Sequence, residues 1–274
     1  MVLSIYSGMK KCLSLFLLTG IGLTANGQPK IQLLSPDKTI RVEIKTSGGL
    51  RYSVFVDDKK ILNESAIDME LTDGRRISDD MNGVKQKTRS VNNTIVAQVP
   101  FSRKNIPDEF NELSLRINSR FAVILRAYND GVAYRIRTSF NDSILVSKET
   151  AAFQFMKGGH AYPPVIQKRE GLDVFHTSFE ELYPYKSLDS LSDKDYMYSP
   201  VLIKTPNEIF IAITESDLDD YPGMFLQGTG RDALQGAFAG YPLEEKMAII
   251  PKWLSVNART FSPGRRVPAV FPGG

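Results

Sequence analysis

The feature that most constrains the fold of this chain is a repeated alternation of apolar and polar residues over short segments. Between Thr39 and Lys45 every second residue is apolar and β-branched, and the residues between are charged. Successive side chains of a strand point to opposite faces, so this pattern predicts a strand with one buried and one solvated face, as in antiparallel sheets. Leu50–Val56 repeats the pattern, and Asp57-Asp58 predicts the turn that follows it.

The rest of the chain continues in the same way and predicts an all-β fold. Segments with turn residues between them are spaced about ten residues apart, which favours a large antiparallel β-sandwich. No segment after residue 28 has a helical 3.6-residue period over three turns, and residues 156–195 predict long loops. The further predicted strands are Thr94–Val99, Asn111–Asn118, Phe121–Tyr128, Val132–Thr138, Ser143–Ser147, Val201–Ile203, Ile209–Thr214 and Met247–Ile250.

The first 27 residues predict a secretory signal peptide. Lys10 and Lys11 precede the apolar run Leu13–Leu23, and small residues stand at both ends of Ala25-Asn26-Gly27. The run is too short for an ordinary membrane-spanning helix, and no second long apolar segment follows. We therefore expect a secreted protein, periplasmic or associated with the cell surface, that has no membrane span. Cleavage would also remove the only Cys, so the mature chain would have no disulfide.

Composition excludes several classes of function. Hydrophobic residues make up 42% of the chain and charged residues 24%, which excludes wholesale disorder. The net charge of +3 is too small to suggest a nucleic-acid partner, which usually selects a concentrated basic face. Two His and one Cys exclude a site built mainly from His and Cys ligands.

Three segments together resemble the N-terminal domain of glycoside hydrolase family 97, the secreted α-glucosidases and α-galactosidases of Bacteroidetes. The resemblance covers residues 29–257, and its second segment is the most specific. The segments are Leu34-Ser-Pro-Asp37; Phe110-Asn-Glu-Leu113 with Arg126-Ala-Tyr-Asn-Asp-Gly-Val-Ala-Tyr-Arg135; and Thr177-Ser-Phe-Glu180 with Tyr183 and Leu188, then Ile213-Thr-Glu-Ser216.

The resemblance implies a galactose-mutarotase-like super-sandwich at residues 28–257, followed in the family by a catalytic (β/α)₈ barrel. In that family the sandwich packs on the barrel and contributes a calcium-ligating glutamate, which aligns with Glu180 here. Calcium takes six to eight oxygen ligands, so the other ligands would come from the barrel. The substrate would be an α-linked oligosaccharide. The irregular tail, residues 258–274, departs from the family pattern, which suggests a truncated or frame-disrupted gene or a native tail.

Glycoside hydrolysis requires two carboxylates that flank the scissile bond, and nothing identifies such a pair in this chain. We therefore assign no catalytic residue and expect the chain to be inactive alone. A stand-alone carbohydrate-binding or interaction module is the alternative. A sugar mutarotase is a third possibility, because histidines serve that acid–base chemistry and the chain has His160 and His176.

Several candidate residues also have purely structural interpretations. Glu181 lies beside Glu180, and a shift of one residue in the alignment would exchange their roles. The acidic run from Glu215 to Asp220 lacks the Gly and the last Glu of a helix–loop–helix calcium site, which favours a solvated turn. Asn129-Asp130-Gly131 is typical of a hairpin turn, with Arg126 and Arg135 available for ion pairs or ring stacking. Candidate sugar-stacking or interface aromatics are Tyr162, Phe179, Tyr183, Tyr185 and Trp253.

Overall fold

The computed structural model describes residues 2–6, 31–170, 172–216, 218, 221–240, 244–249 and 255–260. Within them the regular structure is almost entirely strand, with two short 3₁₀ turns at Ile77–Asp80 and Leu188–Ser190. The strands are β1 (Val2–Tyr6), β2 (Ile31–Leu34), β3 (Ile40–Lys45), β4 (Leu50–Val56), β5 (Lys59–Leu71), β6 (Lys85–Val96), β7 (Asn105–Arg116), β8 (Phe121–Tyr128), β9 (Gly131–Thr138), β10 (Val146–Phe155), β11 (His160–Tyr162), β12 (Lys186–Ser187), β13 (Tyr196–Met197), β14 (Val201–Lys204), β15 (Phe210–Thr214), β16 (Met224–Gly228), β17 (Ala233–Phe238), β18 (Glu244–Ile249) and β19 (Ser255–Thr260).

Two large antiparallel sheets contain all of these strands except the hairpin β18–β19. The nine-stranded sheet has the order β12-β11-β14-β15-β1-β9-β8-β7-β6, and the eight-stranded sheet has the order β13-β16-β17-β10-β5-β4-β3-β2. A single cluster of buried apolar residues draws from both sheets, as expected for a sandwich. The predicted all-β antiparallel sandwich is thus confirmed.

Alternation correctly predicts the strands that have one face in the core. Val42 is 0% exposed and Ile40 1%, whereas the neighbouring Arg41 and Glu43 are only partly buried. Phe121–Tyr128 has the predicted bounds, and Val132–Thr138 is one residue short of β9. The prediction for Ser143–Ser147 misses most of β10, which begins at Val146 and continues to Phe155.

The three segments that resemble family 97 include residues that tie the two sheets together. The Asn111 side chain donates to the carbonyl oxygen of Leu34 (2.8 Å), and the Asn129 side chain accepts from the backbone N–H of Asp37 (3.0 Å). These two bonds join β2 and the residues after it, in the eight-stranded sheet, to β7 and to the β8–β9 turn, in the nine-stranded sheet. The structural interpretation of the Asn129 turn therefore holds, with the side chain acting as an inter-sheet clasp.

An ion-pair network around one nearly buried acid, Glu112, lies on the nine-stranded sheet. Glu112, 8% exposed, faces Arg126 directly across β7–β8 and Arg89 across β6–β7. Arg126 Nε lies 2.8 Å from Glu112 Oε2, and Arg89 Nε lies 2.6 Å from Glu112 Oε1. The Arg126 guanidinium also stacks over the Phe110 ring at 4.3 Å, as a cation–π contact. Arg126 thus has both of the predicted structural roles.

The predicted signal peptide is described only at Val2–Tyr6, which form β1 between β15 and β9. The remaining residues of that segment, 7–27, lie outside the described residues, as does the tail after Thr260. The hairpin β18–β19 includes residues 258–260, the first part of the predicted tail. No helix among the described residues is long and apolar enough to cross a membrane.

Candidate metal-binding and docking loop

The candidate site lies on residues 163–185, a long loop at one edge of the nine-stranded sheet. The loop leaves the sheet after β11 and returns in β12, and these strands pair at His160↔Ser187 and Ala161↔Lys186. β11 also pairs with β14, so the base of the loop is tied to the sheet. In its described residues the loop has no strand longer than an isolated bridge at Val165. Such loops on a rigid scaffold commonly carry binding residues.

Glu180 and Glu181 have different environments in this loop. Glu181 faces the protein, since its Oε1 accepts from the backbone N–H of Gln167 (3.4 Å) and lies 4.0 Å from Arg169. Its own N–H donates to the Tyr198 hydroxyl (3.1 Å). The Glu180 side chain is exposed, and within the described residues its carboxylate has no hydrogen bond or ion pair. Of the two acids, Glu180 is the one available to an external ligand.

The residues just before Glu180 contain enclosed polar atoms. The Thr177 and Ser178 hydroxyl oxygens have almost no solvent-accessible surface, and neither has a hydrogen-bond partner in the described part of the chain. Enclosed hydroxyls usually find a partner, because leaving one unpaired costs about 1–3 kcal/mol. A group outside the described residues is therefore the natural partner of this segment.

A cluster of aromatic rings packs the loop against the rest of the sandwich. The Phe179 ring contacts the Tyr198 and Phe225 rings, each at 5.5 Å between centroids. Phe225, on β16, also contacts Phe175 (4.9 Å), and Tyr183 contacts Tyr198 (6.3 Å). Edge-on and tilted ring pairs of this kind stabilise beyond their buried area. The rings therefore fix the backbone that carries Glu180.

The loop exposes several large apolar and aromatic side chains among its charged residues. Leu182 is 88% exposed, and four other large apolar or aromatic residues of the same loop are more than 40% exposed. Contiguous exposed apolar surface often indicates an interface. We call this set the loop patch: Leu172, Phe179, Leu182, Tyr183 and Tyr185.

The two histidines have unrelated surroundings. His160 stacks in parallel on the Tyr185 ring (4.7 Å), and Tyr162 contacts the same ring (5.1 Å). His176 Nδ1 lies 3.9 Å from Asp173, and burial lowers the pKa of His176 although Asp173 opposes this shift. No described contact joins the two histidines, and each has neighbours that explain it structurally. Trp253 lies outside the described residues.

Asp217, Asp219 and Asp220 of the predicted solvated turn lie outside the described residues, but Glu215 at its start is described and is not a freely solvated acid. Both oxygens of Glu215 accept from the backbone N–H of Met224 (2.7 and 2.8 Å), so this half-buried carboxylate holds the start of β16. Burial raises the pKa of Glu215. The Tyr221 hydroxyl donates to Glu149, and burial likewise raises the pKa of that carboxyl. The pairing of Glu149 with Tyr221 was not predicted.

No complete metal site lies within the part of the chain that the structure describes. The described residues contain no group of three or more His, Cys, Asp or Glu side chains that could hold a metal ion. A lone exposed carboxylate fits a shared calcium site only in part, because calcium requires six to eight oxygens. Glu180 can supply one such ligand, and the remainder must come from outside the described residues.

Comparison with known proteins places this geometry in context. The chain is 30% identical over 239 residues to a retaining alpha-galactosidase of Bacteroides thetaiotaomicron, covering 85% of this chain and 36% of that protein. It also resembles a glycoside hydrolase family 97 enzyme of Pseudoalteromonas sp. strain K8, solved with acarbose (TM-score 0.63, 20% identity, 76% of this chain and 32% of that one). A crystal structure of a beta-arabinopyranosidase gives a TM-score of 0.66, with 20% identity over 76% of this chain and 35% of that one.

The fold and the exposed loop define a β-sandwich domain of the kind found in glycosidases. The profile of the glycosyl-hydrolase 97 N-terminal family matches residues 33–267. The chain belongs to this family, as its resemblance in sequence predicts. It spans about a third of the length of the relatives that it matches.

Proposed function

We propose that this chain is the non-catalytic N-terminal sandwich of a secreted, calcium-dependent α-glycosidase. It packs on a catalytic barrel through the loop patch and contributes Glu180 to a calcium ion at the domain boundary. The observation that carries the proposal is the contrast within the pair of acids, in which Glu181 binds its own domain and Glu180 faces outward.

The loop patch supports a large partner at this position. An exposed leucine beside three exposed rings costs free energy in water, and covering it with another domain recovers about 25 cal/mol per Å² of apolar area. The enclosed Thr177 and Ser178 hydroxyls lie in the same loop and lack partners among the described residues. A domain that packs here satisfies both the apolar and the polar groups.

The proposed substrate class and location rest on different observations. The Bacteroides relative is a retaining alpha-galactosidase, and a structural relative was solved with acarbose, so an α-linked oligosaccharide is the proposed substrate. The basic pair and apolar run of the first 27 residues support secretion, with the product periplasmic or associated with the cell surface. A bound calcium ion would orient carboxylate and sugar hydroxyl oxygens at the domain boundary.

The test uses a chimaera in which this chain replaces the matching N-terminal part of the Bacteroides alpha-galactosidase. We expect Glu180→Gln to raise the calcium concentration needed for half-maximal activity by tenfold or more, because Gln is a neutral and weaker calcium ligand. Activity on an aryl α-galactoside, titrated with calcium after chelation, provides the measurement.

Glu181→Gln is the matched control and should change the calcium titration less than twofold, since that carboxylate serves its own domain. A larger effect of Glu181→Gln than of Glu180→Gln would transfer the role to Glu181. Equal calcium titrations for the unmutated chimaera and both variants would refute calcium ligation by this loop. The chain alone should hydrolyse no aryl α-glycoside, and measurable turnover by it would overturn the non-catalytic assignment.

Leu182→Ser tests docking in the same chimaera. Burial of a leucine side chain contributes about 1.5–3 kcal/mol, so we expect the variant to lower the melting temperature of the chimaera by a few degrees. Leu145→Ser is the control, because Leu145 is also exposed (44%) but lies outside the loop patch. Equal melting temperatures for the two variants would show that Leu182 remains in water.

A further inference from the structure

Within the described residues, β1 alone connects two halves of the nine-stranded sheet. It pairs with β15 from Val2↔Thr214 to Tyr6↔Phe210, and with β9 from Val2↔Ala133 to Ser4↔Gly131. Because β1 is antiparallel to both neighbours, β9 and β15 run parallel to each other, and β1 is the one strand that lies between them. We call the space that β1 fills the strand slot.

Removal of the signal peptide would empty the strand slot. Strands are spaced about 4.8 Å apart, so β9 and β15 would face each other across roughly twice that distance. Their inward backbone N–H and C=O groups would lose their partners, and each unpaired buried group costs about 1–3 kcal/mol. A sheet that is open in its middle is therefore a strong acceptor for another strand.

The slot specifies which positions of an incoming strand must be apolar. The third position lies opposite Val132 and Ile213, which are 1% and 0% exposed. The fifth position lies opposite Ile211, which is also buried. The positions between them lie opposite partly buried residues of β15 such as Ala212. An acceptable strand thus has apolar residues two positions apart on its core face.

The slot also specifies charge at the amino end of the incoming strand. Glu215 directly follows Thr214, the residue opposite Val2. The Glu215 carboxylate is half-buried and accepts from the backbone N–H of Met224 (2.7 and 2.8 Å), and burial raises its pKa. A positive charge at this end of the slot would therefore favour the charged form of Glu215.

We propose that the strand slot is a β-augmentation site, which after signal removal binds an extended peptide segment with a positive charge at its amino end and apolar residues at its third and fifth positions. Backbone hydrogen bonds to β9 and β15 give the affinity, and the core-face positions and the Glu215 carboxylate give the selectivity. The inference rests on the proposed secretion, since the slot opens only when the leader is removed. It does not depend on calcium or on a catalytic domain.

The test starts from the full chain with a protease site inserted between Tyr6 and Ser7. The protein is folded and then cut, and excess labelled peptide Met-Val-Leu-Ser-Ile-Tyr is added with a free amino terminus. We expect the labelled peptide to exchange into the cut protein and to co-elute with it. An acetylated peptide should bind at least fivefold more weakly, and a peptide with Pro at its third position should not bind, because Pro lacks the N–H.

The Glu215→Gln variant should bind the free and acetylated peptides about equally. If the fragment of residues 1–6 leaves on cutting and the protein keeps its melting temperature without taking up peptide, the slot closes by itself and the proposal fails. Equal binding of the Pro peptide would also overturn it, by showing adhesion without strand pairing. If the cut protein unfolds, recovery of the fold by the free peptide alone supports the proposal, and no recovery refutes it.

Discussion

Replacing Glu112 with Gln is expected to lower the free energy of unfolding by about 1–2 kcal/mol. Glu112 accepts hydrogen bonds from Arg89 and Arg126, and these charges lower the pKa of its carboxyl to about 2. Arg89 is 53% exposed and Arg126 31% exposed, so solvent screens both charges and reduces what this pKa shift contributes to stability to about 1–2 kcal/mol. Gln keeps the shape but removes the charge, so two arginines lose their counter-ion. Thermal and urea unfolding of the two proteins measure this loss.

The same network predicts a specific pH dependence. Because the folded-state pKa lies below the unfolded value, the stabilisation is complete above pH 4.5 and disappears as the pH falls toward 2. The difference in unfolding free energy between wild type and Glu112→Gln should therefore shrink across that range. Glu109→Gln, on the opposite face of β7, is the control and should cost less than about 0.5 kcal/mol. A difference that persists at pH 2 would rule out the charge as the cause.

Gly228→Ala is expected to destabilise the sandwich by about 3 kcal/mol or more. A Cβ at this position would lie 2.5 Å from the backbone carbonyl of Leu191 and equally close to the carbonyl oxygen of Ser192. The backbone cannot withdraw easily, since Gly228 N–H donates to Asp195 O (3.0 Å) and Gly230 N–H donates to Leu191 O (2.6 Å). Overpacking against a fixed backbone commonly costs about 1–3 kcal/mol, and sometimes more.

Gly230→Ala separates crowding from backbone strain. Gly230 has a φ of +68°, and a Cβ there would meet no described atom within 4 Å. Its substitution should cost about 1 kcal/mol through the left-handed conformation alone. If Gly228→Ala cost no more than Gly230→Ala in urea unfolding, the contact with residues 191–195 would have to be looser than the structure shows.

Alternation in the sequence predicted the half-buried strands and was poorer for strands in which both faces are alike. The predicted strand Thr94–Val99 overlaps only the last three residues of β6. This edge strand is exposed along nearly its whole length, with water on both sides, and so has no apolar period. β16 was not predicted for the opposite reason, because both of its faces are apolar. Met224 and Leu226 face the core, and Phe225 packs against the candidate loop. A pattern that depends on contrast between faces cannot detect either kind of strand.

The candidate site was predictable only through resemblance to a family. Nothing in the composition of the loop distinguishes Glu180 from Glu181, and their difference arises from the positions of Tyr198 and Gln167 in the fold. The pairing of Glu149 with Tyr221 spans 72 residues of sequence, so no local pattern reports it. The Asn129 clasp to Asp37 was visible only as a turn signal, because its partner lies 92 residues away.

The position of β1 sets an order of events during synthesis. Val2 pairs with Thr214, so this contact cannot form until more than 200 further residues have been made. Contacts of such long sequence separation form late, because closing so large a loop costs entropy before any contact compensates for it. Residues 2–6 therefore lack these partners through most of translation. If the protein is secreted as proposed, export and completion of the sheet would compete for these residues, and export would have the earlier opportunity.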